Sequence, residues 1–333
     1  MSQDFFNGLD YFEGRETVLD LVKRYTSLKR SVRYNTKIGY KTVINRLQND
    51  PFGKRQIRTV KVSDVKLWYI ALQDQGVGYS TIMSLRGVLK PAFEMAYNEE
   101  IIRRNPFAFD VTEVVINNTK KRDALTPAQK EKWLNFVKND PTYRKYFDEY
   151  IVLLGTGMRV SEFCGLTIKD IDFDNRCISV NKQLNRERGG KYFVEKTKTE
   201  CGCRKIPLTD DVFNSLKRIL KKRKNPKRER NIDGYYGFIL LDKDGKPKVA
   251  LHIENSIRWG LYKYEKLFPD DPLPNITPHV LRHTFCTDMA NAGLDIKSLQ
   301  YVMGHSEVDI TLNVYTHSNY DRAAEQMLAI GSH

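Results

Sequence analysis

The chain holds 333 residues, with 55 Lys or Arg against 41 Asp or Glu and a formal net charge of +14. One very large domain or two ordinary ones fit that length, and the excess of cations calls for an anionic partner, either nucleic acid or an anionic membrane surface. No run of eighteen apolar residues occurs, and SQDFFNGLD after Met1 is no signal peptide, which weakens the membrane alternative and leaves a cytoplasmic protein facing nucleic acid.

Residues 1–13 mix aromatics, glycine and acids without a period and read as a leader. From Glu16, the spacing of Val18, Leu21, Val22 and Tyr25 predicts an amphipathic helix. A second helix is predicted over 36–49, a third from Ser63 as its N-cap, and a fourth from Ser80 to about Glu99, after the break at Gly76-Val77-Gly78. Asn105-Pro106 ends this small all-α domain, assigned to residues 14–112. Across residues 23–66, thirteen Lys or Arg stand against two acids, Asp50 and Asp64. Lys29, Arg30, Arg33, Lys37 and Lys41 are the candidate DNA-binding residues here; the last four would share one face of a continuous helix. Solubility needs no such one-sided charge, which favours phosphate contact over a merely solvated face.

The basic stretch 114–122 reads as a linker, placed at 113–124, before a second domain at 125–333. Thr126-Pro127 caps a helix carrying Trp133, Phe136 and Val137. Apolar residues 150–154 lead to Gly155-Thr156-Gly157, and a helix resumes through Val160, Phe163 and Leu166. Strands are predicted at 177–180 and 204–208. Thr209-Asp210-Asp211 caps a helix running into KKRKNPKRER, read as a solvated basic arm, while 238–241 with Asp244-Gly245 reads as a hairpin. From about His252 the chain is helical again. The fold class is mainly α with a small antiparallel β-sheet. Five cysteines (Cys164, Cys177, Cys201, Cys203, Cys286) suit reduced thiols, and Cys201-Gly202-Cys203 has no second Cys/His pair at finger spacing.

Thr277-Pro278 opens a helix on which His279 and Arg282 lie three apart near the N-terminus, placed to face one anion. His283 faces elsewhere and reads as structural. Gly304 ends a helix over 298–303 in the left-handed conformation and presents His305. Arg159 follows small residues in GTGMRVSE, with Glu162 three residues on to brace it, and Tyr315 sits in NVYTH. Singly these are weak signals: a lone His-x-x-Arg fits any capped helix, and Tyr315 is one of 18 tyrosines.

Taken in order, GTGMRVSE, KTKT before RKIPL, HVLRH, GHS and NVYTH resemble the tyrosine recombinase (phage integrase) family, from about residue 14 to about 330. The tail GHSEVDITLNVYTH is similar to integrases of Gram-positive conjugative transposons. The resemblance implies a helical core-site DNA-binding domain at 14–112 and a catalytic domain at 125–333 that together form a clamp around DNA. It implies that Tyr315 attacks a scissile phosphate, giving a 3′-phosphotyrosyl bond and a free 5′-hydroxyl. Arg159 and Arg282 then hold non-bridging oxygens, His305 adds a hydrogen bond, and His279 assists proton transfer at the tyrosine. Lys198, with Lys196 as the alternative, is the general acid on a β-hairpin tip. No cofactor or metal is implied, since the linkage energy stays in the phosphotyrosine.

The implied partners are double-stranded DNA at element ends and target, and a homotetramer that resolves a Holliday junction. A C-terminal tail helix, marked by Ala323, Ala324, Met327 and Leu328, would be exchanged between protomers. Accessory excision and DNA-bending factors belong to the same picture, in the bacterial cytoplasm at the nucleoid and with no membrane. Integrases of this group usually begin with a small arm-site domain; this chain starts almost directly at the core-binding helices, so arm-site recognition is not expected of it. The rival readings are a type IB topoisomerase, with the same phosphotyrosine chemistry but no pairing of sites, and a DNA-binding protein without catalysis.

Overall fold

Thr17 opens helix α1 (Val18–Ser27) through a capping box: its hydroxyl accepts the Asp20 N–H, and the Asp20 carboxylate accepts from the Thr17 N–H. The structure, a computed structural model, describes residues 15–119, 123–187, 189–197, 202–223 and 229–305. The expected leader, Lys198, Cys201, residues 224–228 of the basic arm, Tyr315 and the tail stripe lie outside these residues. The chain divides into two units, residues 1–121 and 122–333. Among the described residues no helix is long and apolar enough to cross a membrane.

In the first unit α1 is followed by α2 (Tyr34–Asn49), α3 (Val62–Asp74) and α4 (Tyr79–Asn98). Their apolar faces bury Leu21, Leu47, Val65 and Phe93, each worth about 1.5–3 kcal/mol of transfer free energy. Phe52 stacks on Trp68 with ring centroids 4.2 Å apart. The cap of α3 is Lys61 rather than Ser63, because the Asp64 carboxylate reaches back to the Lys61 N–H at 2.8 Å. Gly78, not Ser80, caps α4. The core also runs past Asn105-Pro106, since Phe107, Val111 and Val115 are buried and Val115 lies inside the expected linker. The Asn105 side chain accepts the Phe107 N–H and donates to the Lys90 carbonyl, so that turn folds the chain back onto α4.

Arg30, Arg33, Lys37 and Lys41 do not lie on one continuous helix. Thr26 and Ser27 hydroxyls bond back to carbonyls of the last turn of α1, competing with its continuation. Lys29 and Arg30 therefore sit in the connection and Arg33 caps α2, leaving Lys37 and Lys41 together on one exposed helical face. Arg24, also counted among the cations, is buried between Glu16 and Glu99.

The second unit begins with α5 (Pro127–Asn139), capped by Thr126 with Gln129 at the third position. Trp133 of this helix stacks on Tyr150 of α6 (Phe147–Thr156), and the Tyr150 hydroxyl donates to Ser256. After α7 (Val160–Cys164) come β1 (Ile171–Asp172), β2 (Cys177–Val180), β3 (Lys182–Arg186), β4 (Tyr192–Lys196) and β5 (Arg204–Pro207). The antiparallel order is β1-β2-β5, with β3-β4 as a separate hairpin. Helices α8 (Asp210–Lys222), α9 (Ala250–Leu267), α10 (Pro278–Asn291) and α11 (Ile296–Met303) complete the described residues. The fold class is the expected one, mainly α with small antiparallel sheets.

Three local expectations change. The strands flanking residues 197–203 do not pair with each other: Lys182 opposes Lys196 and Val180 opposes Arg204, so β4 and β5 face successive stretches of one arm, interrupted at Asn181. The segment 238–247 closes through a single bridge, Leu241 to Pro247, because proline has no N–H with which to extend a ladder. In the basic arm, the side chain of Arg223 is buried, donating to the Phe238 carbonyl and paired with Glu229.

Candidate active site

The site starts at the end of α6. Gly157 turns left-handed there (φ 59°), and a Cβ at that position would lie 2.3 Å from Cδ1 of Phe285, so only glycine fits. Two residues later Arg159 caps α7, with the Glu162 carboxylate accepting both its N–H and its Nη1 at 2.9 Å. The brace expected from the three-residue spacing is present. Arg159 keeps 43% of its side chain exposed, so its guanidinium can still meet a ligand.

On α10, Thr277 accepts the Val280 N–H, and Pro278 takes the first helical position. His279 is exposed, whereas Arg282, one turn on, is buried. Arg282 donates to the Gly157 carbonyl at 2.6 Å and to the Met303 carbonyl at 2.5 Å. Burial, and then the charge of Arg159, push its pKa down to about 9, which leaves it charged at neutral pH. His279, Arg282 and Arg159 line one cleft of about 490 Å³, joined by Asn255 and Arg258 of α9.

Helix α11 is capped by Asp295, which accepts the Ser298 N–H. It ends at Gly304 in the left-handed conformation, as expected (φ 63°), and His305 follows, half-buried. Burial, and then the charges of Arg282, Arg159 and Arg204, push the His305 pKa down to about 4. The imidazole is therefore neutral near pH 7 and has one N–H to donate.

One residue that sequence reasoning passed over belongs to this cluster. Arg204, noted in RKIPL only as part of a strand, has no exposed side-chain surface and pairs with Glu162 at 2.8 Å. Three guanidiniums thus take the last three carbonyls of the α11 turn: Arg204 takes Val302, Arg282 takes Met303 and Arg159 takes Gly304. Burial opposes ionisation of Glu162, but hydrogen bonding and charge from Arg204, then Arg159, hold its pKa below the ordinary range. The result is a preorganised cationic pocket in which the Glu162 carboxylate is paired with Arg159 and Arg204, an arrangement that can bind and polarise a phosphate.

Lys196 is exposed at the end of β4, across from Lys182, which is itself buried against Asp170. Lys198 and Tyr315 lie outside the described residues. Cys203 is a free, exposed thiol beside Thr197. His283 is half-buried.

Residues 123–322 match the Phage integrase family. The chain is 40% identical over 327 residues to the transposase from transposon Tn916 of Enterococcus faecalis, covering 98% of this chain and 80% of that protein. A tyrosine recombinase, XerC, of Roseiflexus castenholzii is 26% identical over 90% of this chain and 88% of its own length. Among solved structures, the Tn1549 transposon integrase in complex with a circular intermediate DNA superposes with a TM-score of 0.89 at 40% identity, covering 94% of this chain and 99% of that one. A lambda integrase dimer bound to a core site shares the fold, with a TM-score of 0.64 at 17% identity over 90% of this chain and 95% of that one.

Proposed function

This chain belongs to the phage integrase family, and we propose that it excises and integrates a mobile element by cleaving and rejoining DNA at the cluster built on Arg159, Arg282 and His305. It is a site-specific tyrosine recombinase; the covalent intermediate proposed for it is a 3′-phosphotyrosine. The observation that carries the residue assignment is the convergence of Arg159, His279 and Arg282 on one cleft, with a neutral His305 against the same two arginines.

In the proposed reaction the Tyr315 oxygen bonds to the scissile phosphorus and the bond from phosphorus to the 5′-oxygen breaks. His279 assists removal of the tyrosine proton, because a phenol that ordinarily ionises only near pH ~10 does not lose it unaided at neutrality. Lys198 gives a proton to the departing 5′-oxygen. Arg159 and Arg282 hold the non-bridging oxygens, where each preorganised donor is worth about 3–4 kcal/mol in the transition state. The neutral His305 adds a hydrogen bond without adding charge to an already cationic pocket. The reverse attack by a 5′-hydroxyl rejoins a strand, and the bond energy is conserved throughout, so neither ATP nor a metal is needed.

The substrate is double-stranded DNA at the element's ends and target, with four protomers exchanging two pairs of strands through a Holliday junction. In the first unit Lys29, Arg30, Lys37 and Lys41 present exposed cations suited to phosphate contacts. A chromosomal substrate places the work in the bacterial cytoplasm, at the nucleoid. The decisive experiment incubates the protein with a nicked suicide duplex carrying an element end. A covalent protein–DNA adduct is expected from wild type and not from Tyr315→Phe. An equal yield from that variant would remove Tyr315 as nucleophile, and no adduct from wild type would leave a DNA-binding protein.

A further inference from the structure

We propose that Arg204 is a positioning residue for phosphoryl transfer, holding the α11 turn and its His305 against the Arg159–Glu162 pair. The inference rests on the recombinase reading of the same site. Arg204 cannot itself be a phosphate ligand: its side chain is fully buried, and four donor contacts already go to protein atoms. These contacts are Nε to the Val302 carbonyl at 2.6 Å, Nη1 to Glu162 and to the Gly202 carbonyl, and Nη2 to Glu162.

Those contacts join pieces of chain that are far apart in sequence. Val302 lies in the last turn of α11, three residues before His305, and Glu162 holds Arg159; Gly202 is a local partner, two residues before Arg204. The turn itself is shaped around this guanidinium. A Cβ on Gly304 would lie 2.9 Å from Arg204 Nη1 and 3.2 Å from its Cζ, in a backbone conformation already unsuited to side chains (φ 63°). Arg159 and Arg282 grip the neighbouring carbonyls from the cleft side, but both have to serve the phosphate as well. Arg204 is the member of the trio that stays committed to the turn when DNA arrives. Its second task is electrostatic. Glu162 is shared between Arg204 and Arg159, and the plane of that carboxylate sets where the Arg159 guanidinium points.

The test compares wild type with Arg204→Met and Arg204→Lys on the suicide duplex, measuring single-turnover cleavage, DNA affinity and thermal midpoint in parallel. Arg204→Met is expected to cleave about 100-fold more slowly, the scale of loss that misplaced catalytic groups bring, with affinity within about threefold because phosphate contacts elsewhere are intact. Arg204→Lys keeps the charge beside Glu162 but not the fork to Val302, and about a tenfold loss is expected of it. A 5′-phosphorothiolate duplex, whose leaving group needs no general acid, should not restore either variant, whereas it should restore Lys198→Ala.

Wild-type rates in both Arg204 variants would overturn the inference. So would rescue by the phosphorothiolate, which would put the effect on the general acid, or a rate loss that vanishes once the variants are assayed below their lowered midpoints, which would make the role purely structural. If Arg204→Met does not fold, Arg204→Lys decides the same question. A wild type that forms no adduct would instead remove the recombinase reading underneath.

Discussion

The two units carry positive charge in opposite ways. In the first, Lys37 and Lys41 stand exposed on the face of α2, with Lys29 and Arg30 ahead of them in a turn. In the second, Arg159, Arg204 and Arg282 crowd around one carboxylate and three successive carbonyls, two of them buried. Exposed cations gain affinity by releasing counter-ions, and their contributions are many, small and screened by salt. Buried guanidiniums are held in place before the ligand arrives, and what they contribute depends on position to within a fraction of an ångström. The first arrangement suits holding DNA, the second doing chemistry on one phosphate of it.

Substitutions can break this contrast at different depths. Arg282→Ala should lower adduct formation by about 1,000-fold, since it removes a preorganised donor and frees the Gly157 and Met303 carbonyls. Single-turnover cleavage measures this, and a loss below about tenfold would contradict the assignment. Gly157→Ala comes next. Its left-handed backbone and the overlap with Phe285 should cost about 2–4 kcal/mol in urea unfolding, and α10 should be displaced with the loss of cleavage.

His305 offers a pH test. Its pKa is near 4 in the folded chain and about 6.5 when unfolded. The unfolded state therefore binds more protons between those values, and stability falls as pH drops from 6.5 toward 4. Replacing His305 with Gln should remove about 1–2 kcal/mol of that loss, allowing for solvent screening at a partly exposed group. An unchanged slope in urea titrations across the window would show that burial and the arginines do not act on this imidazole. The smallest effects belong to the first unit: Lys37→Ala or Lys41→Ala should weaken DNA binding only a few fold and reduce the salt dependence by about one counter-ion each. Cleavage of saturated DNA should stay at the wild-type rate; a large loss there would mean that α2 takes part in assembling the reaction and not only in holding.

Several parts of this were legible without coordinates because they are local. Thr126, Thr277 and Gly304 sit at helix ends where their hydroxyls or missing side chain are required, and each takes the predicted place. The brace of Glu162 on Arg159 follows from a three-residue spacing on one helix. Where local rules competed, the reading slipped. Asp64 displaced Ser63 in shaping the cap of α3, and hydroxyls at Thr26 and Ser27 ended α1 before the basic residues could share its face. The pairing around residues 197–203 was not legible either, because a strand pattern says nothing about which partner it takes.

By itself the sequence determined the motifs, their order along the chain and the family that combines them. Tertiary structure alone decided which of many cations act together. Arg204 looked like one more residue of a β-strand and is the most deeply placed of the three arginines, since a fully buried guanidinium is tolerable only where a carboxylate and carbonyls from distant segments meet it. Glu162 and Val302 lie 42 and 98 residues from it in the chain, and no periodicity or motif spacing brings them together; only packing of the folded domain does.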